Sequence, residues 1–71
     1  MTFNEVRLIK HLTDLARRIK RETPEWMWGD WTTFQTVMLQ QQRPVGPEFE
    51  VTERQFTRCL RHAFVEVSYR P

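Results

Sequence analysis

The sequence predicts a mainly α-helical protein, a compact three-helix domain with a short extra helical turn, and three observations carry that expectation. Apolar residues recur at three-and-four spacing through 8–19 and again through 56–64, the signature of helices with one buried face. Two capping-box patterns, Thr2 with Glu5 and Thr52 with Gln55, stand just ahead of those two segments. All three tryptophans fall in the stretch Pro24-Glu-Trp-Met-Trp-Gly-Asp-Trp31, a junction where helices should meet.

In chain order, Thr2 and Glu5 each take up a free backbone N–H at a helix start, and Leu8, Ile9, Leu12, Leu15, Ala16 and Ile19 form the apolar face that follows. Arg7, Lys10, Asp14, Arg17, Arg18 and Arg21 fall on the opposite side. Basic residues near Arg21 suit the negative end of the helix dipole, and Pro24 bars Thr23 from helical geometry, so this helix should end near Arg21 or Glu22. Thr23-Pro24-Glu25 reads as the cap and first turn of a short helical segment that Gly29 closes. Asp30 then caps a helix in which Trp31, Phe34, Val37 and Met38 share a face through Gln42, with Leu39 off the stripe. The prolines of Arg43-Pro-Val-Gly-Pro47 make a connecting loop.

Beyond the loop, Val51 and Phe56 occupy hydrophobic-staple positions around the Thr52 cap. Phe56, Cys59, Leu60, Ala63 and Phe64 make the inner face of the last helix, and Arg54, Arg58 and Arg61 its outer one. Alternation leaves room for two short strands, 49–51 and 65–69, with continuation of the helix as the alternative for Val65, Val67 and Tyr69.

A chain of 71 residues reads as one domain, 1–71, in the range where a single core supplies only about 3–5 kcal/mol of net stability. Cys59 is the one cysteine, so no intramolecular disulfide is available and a reducing cytoplasm is the expected compartment. The start lacks a basic stretch followed by an apolar run, and no segment has the roughly 18 apolar residues of a membrane span. The net charge of +2 conceals a pattern: residues 1–21 carry +4, residues 22–53 carry −5 and residues 54–71 carry +3. Two basic ends flank an acidic middle, which weakens attraction to a long polyanion below what the pI of about 9.2 suggests.

Candidate partner-binding residues are the basic rows Arg7, Lys10, Arg17, Arg18, Arg21 and Arg54, Arg58, Arg61, together with Trp26 and Trp28. The rows suit phosphates or an acidic protein surface, and equally a solvated helix face; the two rows would join if the first and last helices lie side by side. Trp31 is expected in the core. Trp26 and Trp28, two apart, cannot face the same way on one helical turn, so one of them is expected to look outward as an interface anchor. Cys59 and His62 sit three apart on a helix, but they lack further ligands for a metal and an orienting third group for a nucleophile, and no glycine-rich phosphate loop exists. No enzyme activity, cofactor or metal is expected.

With the basic first helix, the Trp-Met-Trp-Gly-Asp-Trp junction and the arginine-lined last helix, the chain resembles the very small phage-encoded transcription inhibitors and antiterminators that bind host RNA polymerase, of the Xanthomonas phage type. The resemblance lies in size, charge layout and texture, and it implies contact with the large polymerase subunits near the flap and RNA exit channel. The expectation is a non-enzymatic binding protein, monomeric or weakly dimeric, acting on bacterial RNA polymerase by protein–protein contact, with nucleic-acid contact secondary and no membrane. A small DNA-binding regulator, dimeric through Leu39 or an outward tryptophan, is the alternative.

Overall fold

The first helix, α1, spans Phe3–Glu22 and begins as its capping box dictates: the Glu5 amide donates to Thr2 Oγ1 at 3.2 Å, and the Thr2 amide donates to Glu5 Oε1 at 3.1 Å. The computed structural model describes residues 2–25, 28–41 and 49–69. Leu8, Leu12, Leu15, Ala16 and Ile19 are buried, Ile9 is partly so, and the basic residues face outward as the spacing predicts.

Thr23 closes α1, just past the expected end at Arg21 or Glu22. Its amide and its hydroxyl both donate to the Ile19 carbonyl, at 2.9 and 2.8 Å. Pro24, next in line, has no N–H to continue the ladder, so the Thr23 amide makes the last helical bond and the Thr23 hydroxyl adds a second to the same carbonyl. Pro24, Glu25, Trp28 and Gly29 lie in turns, and the expected extra helical turn otherwise falls on residues 26 and 27, outside the described residues.

Helix α2 spans Trp31–Gln41. Asp30 caps it as expected, its carboxylate accepting from the Thr33 amide and hydroxyl, each at 2.9 Å. Phe34, Val37 and Met38 are buried and Leu39 is exposed. Gln42 and the expected 43–47 loop lie outside the described residues.

Helix α3 spans Glu53–Tyr69, and its Thr52–Gln55 box is formed in both directions, at 2.7 and 3.2 Å. The two short strands are not formed, and no strand occurs among the described residues. At 49–51, Phe49 and Glu50 make a turn in which Glu50 takes a φ of 53°, the left-handed region, which breaks any extended run. At 65–69 the helical alternative holds. A strand would put Val65, Val67 and Tyr69 on one face, whereas Val67 is 1% exposed and Val65 and Tyr69 are 39% and 66% exposed. Val67 extends the buried Ala63–Phe64 stripe by one turn, and that burial favours helical phase over β-branched propensity.

Side-chain contacts set the arrangement. Arg58 reaches Glu5 near the start of α1, and Lys20 reaches the Val67 carbonyl near its end, so α1 and α3 run side by side in the same direction. Helix α2 returns between their ends, with Trp31 against Phe64. The core is an aliphatic layer from α1 meeting an aromatic one: Phe34 has ring centroids 5.3, 6.2 and 6.3 Å from Phe64, Trp28 and Trp31. Each such pair is worth about 0.5–1.5 kcal/mol beyond its buried area. The radius of gyration, 11.3 Å, matches the roughly 11 Å expected of a folded domain this long.

Candidate functional site

The basic residues separate into those with an internal partner and those without. Arg58 belongs to the first group: its Nη2 lies 2.6 Å from Glu5 Oε2, and the Glu5 side chain is only 2% exposed. Gln55 Nε2 reaches Glu5 Oε1 at 3.4 Å, and the Cys59 thiol donates to the Glu5 backbone carbonyl at 3.6 Å. The Thr2 amide and then the Arg58 guanidinium stabilise the charged carboxylate, outweighing its burial and holding the Glu5 pKa at about 2. Arg58 thus clasps α3 to α1.

Arg61 lies over Trp31, 4.7 Å from the ring centroid, and over Phe64 at 5.5 Å, shielding the aromatic layer from water. Arg7 covers Phe49 and Phe3 in the same way, at 5.3 and 5.9 Å. Lys10 pairs with Asp14 one turn on, at 3.2 Å. Lys20, intermediate in exposure, donates to the Val67 carbonyl at 3.1 Å, neutralising the negative end of α3.

The second group is Arg54 on α3 and, on α1, the trio Arg17, Arg18 and Arg21. All three are exposed on the last two turns of α1, and none has an ion pair, hydrogen bond or aromatic contact among the described residues. Arg17 and Arg21 join Lys20, Pro24 and Val67 around a depression of about 400 Å³ between the ends of α1 and α3. Arg18 and Arg21 flank a smaller one of about 210 Å³ with His11, Asp14 and Leu15 on the other side of the ridge. Arg54 is exposed near the start of α3, beside Glu53 and Thr57. Helices α1 and α3 do lie side by side, yet the two basic rows make no continuous track, because Arg58 and Arg61 are drawn toward Glu5 and Trp31.

Of the two tryptophans offered as anchors, Trp28 turns inward. It is 5% exposed, its Nε1 donates to the Thr23 carbonyl at 2.8 Å, and its own carbonyl accepts from the Ser68 hydroxyl. It ties the end of α1 to the end of α3 and offers no exposed indole to a partner. Trp26 lies outside the described residues. Trp31, expected in the core, packs at its edge, partly buried under Arg61.

Cys59 and His62 do not converge. Cys59 is fully buried, and burial together with the Glu5 charge pushes its thiol pKa up, away from thiolate chemistry. His62 is exposed in an open depression with Trp31, Thr57, Arg58, Arg61 and Val65. Among the described residues, no group of three His, Cys, Asp or Glu is placed to hold a metal ion, and no helix is long and apolar enough to cross a membrane.

The feature that sequence reasoning missed is this division of the cations. The i, i+4 pairing of Lys10 with Asp14 was legible, but the partners of Arg58 and Lys20 lie 53 and 47 residues away. No protein-family model matches the chain, and neither does any curated protein or solved structure at a significant level.

Proposed function

We propose that this chain is a small non-enzymatic binding module that regulates or inhibits a host macromolecular machine by protein–protein contact, with the exposed end of α1 as its contact surface. One observation carries the reading. Arg17, Arg18 and Arg21 stand together on one helix without partners among the described residues, while Arg7, Lys10, Arg58 and Arg61 are engaged within the fold. Like charges at i, i+4, as in Arg17 and Arg21, disfavour the helix slightly, so folding gains nothing from that pair. Exposed guanidiniums held by a packed helix suit carboxylates on a partner surface.

The resemblance of size and charge layout to phage inhibitors of transcription makes bacterial RNA polymerase the target to test first, with inhibition of initiation and antitermination as the outcome. Purified polymerase is to be captured on the immobilised chain and on an Arg17→Glu, Arg18→Glu variant. The wild type is expected to retain the large subunits and the variant to lose them. Equal capture by both removes the proposed surface, and no capture by either removes polymerase as the target. Salt titration with duplex DNA tests the DNA-regulator alternative: affinity that falls steeply with salt, at strength comparable to polymerase, favours it.

A further inference from the structure

The depression between the ends of α1 and α3 has a chemistry more specific than a basic patch. Arg17, Lys20 and Arg21, spaced i, i+3, i+4, stand on one face of α1 and bring three cations to its rim. The same depression is lined by the exposed Pro24 and by Val67, and the aliphatic stems of the three basic side chains add further apolar surface. Lys20 is held there by its bond to the Val67 carbonyl, at 3.1 Å, while Arg17 and Arg21 are exposed. A cationic rim over an apolar floor matches an anion that also brings an apolar group.

We infer that this depression docks a short acidic peptide segment of the partner protein, with an apolar side chain on the Pro24 floor and flanking carboxylates on Arg17 and Arg21. This rests on the protein-binding reading above and adds the place and the chemistry. Charge complementarity selects a short segment over a nucleic acid strand. Glu22 and Glu25 are exposed just past Arg21, so a long polyanion continuing beyond the depression at that end meets like charge. Each guanidinium can donate two parallel N–H bonds to the two oxygens of one carboxylate, so Arg17 and Arg21 together suit a peptide with two nearby acidic groups.

The test is a titration of the ¹⁵N-labelled full chain with a short synthetic peptide of glutamates carrying Phe and Leu. The same peptide with serine at the apolar positions and an oligothymidylate of equal charge serve as controls. Amide shifts are expected to centre on Arg17 to Arg21 and Val67. Affinity should drop about tenfold or more in an Arg17→Glu, Arg21→Glu variant with an unchanged amide spectrum, and should weaken on replacing Phe and Leu by serine. Should the double variant not fold, Arg17→Gln and Arg21→Gln singly carry the comparison. The inference is overturned by shifts centred on Trp31 and Arg61, by equal binding of the serine peptide or the oligothymidylate, or by no binding of the apolar acidic peptide. If the peptide fails while polymerase is still captured, the docking site falls and the binding reading stands.

Discussion

Glu5 does two things with its carboxylate, closing the Thr2 capping box and receiving Arg58 from α3, and a third with its backbone carbonyl, which accepts from the Cys59 thiol. Its pKa is held at about 2 against an ordinary 4.5, so the unfolded chain binds more protons than the folded one between those values. Its contribution to stability is therefore complete above about pH 4.5 and is lost as pH falls toward 2. Asp30, lowered by the Thr33 amide and then its hydroxyl, acts in the same direction. Thermal melts of the wild type should drop across this window, Glu5→Gln should flatten the drop, and Glu5→Gln with Asp30→Asn should flatten it further. An unchanged acid slope in the double variant would exclude these two groups as its source. Thr13 presents the opposite case, a buried residue whose Oγ1 has no hydrogen-bond partner among the described residues. Thr13→Val keeps the shape and removes that desolvated hydroxyl, so denaturant titration should find the variant more stable by about 1 kcal/mol.

Helix α3 tests how far a buried stripe overrides β propensity. Val65 and Val67 are chemically identical, yet Val67 is 1% exposed and Val65 is 39% exposed. Val67→Ala removes two buried methyl groups and should cost about 2 kcal/mol in urea unfolding, whereas Val65→Ala should stay within about 0.5 kcal/mol. Equal effects would mean that 65–69 is not helical in solution. Helix α1 divides along its length. Its first half carries cations engaged by Asp14, Phe3 and Phe49, and its last turns carry arginines that the fold leaves unused. Arg17→Glu creates an i, i+4 pair with Arg21 and should raise the stability of the isolated protein by about 0.3 kcal/mol. A substitution that stabilises the chain while abolishing capture of a partner marks a residue kept for binding.

The domain as a whole depends on a few aromatic rings because so short a chain has little apolar area to bury. Phe34 is fully buried, with Trp28, Trp31 and Phe64 arranged around it. Phe34→Ala should cost about 3–5 kcal/mol, comparable to the whole net stability of a domain this size, so the variant should be largely unfolded at 37 °C by circular dichroism. Cys59 supplies a second readout. Its thiol is sealed between α1 and α3 and its pKa is raised, so a thiol reagent should modify the wild type only as fast as the helices open, and Phe34→Ala within the mixing time. Fast modification of the wild type would show that α1 and α3 separate readily.

Helix starts, helix faces and the Asp30 cap were legible in the chain because each depends on residues within one turn of one another: Thr2 on Glu5, Thr52 on Gln55, Asp30 on Thr33. The same local logic left 65–69 open between strand and helix, since alternation over five residues competes there with a stripe that only packing can weigh, and it did not foresee that the Thr23 hydroxyl serves the helix behind it. The fate of each cation and of Trp28 depended on partners brought close by folding: Arg58 on Glu5, Lys20 on Val67, and Trp28 on Ser68, 40 residues further along. Local order is written in spacing because backbone bonds and caps span three or four residues. The choice of which arginines remain open to a partner waits on the docking of helices, which no local spacing encodes.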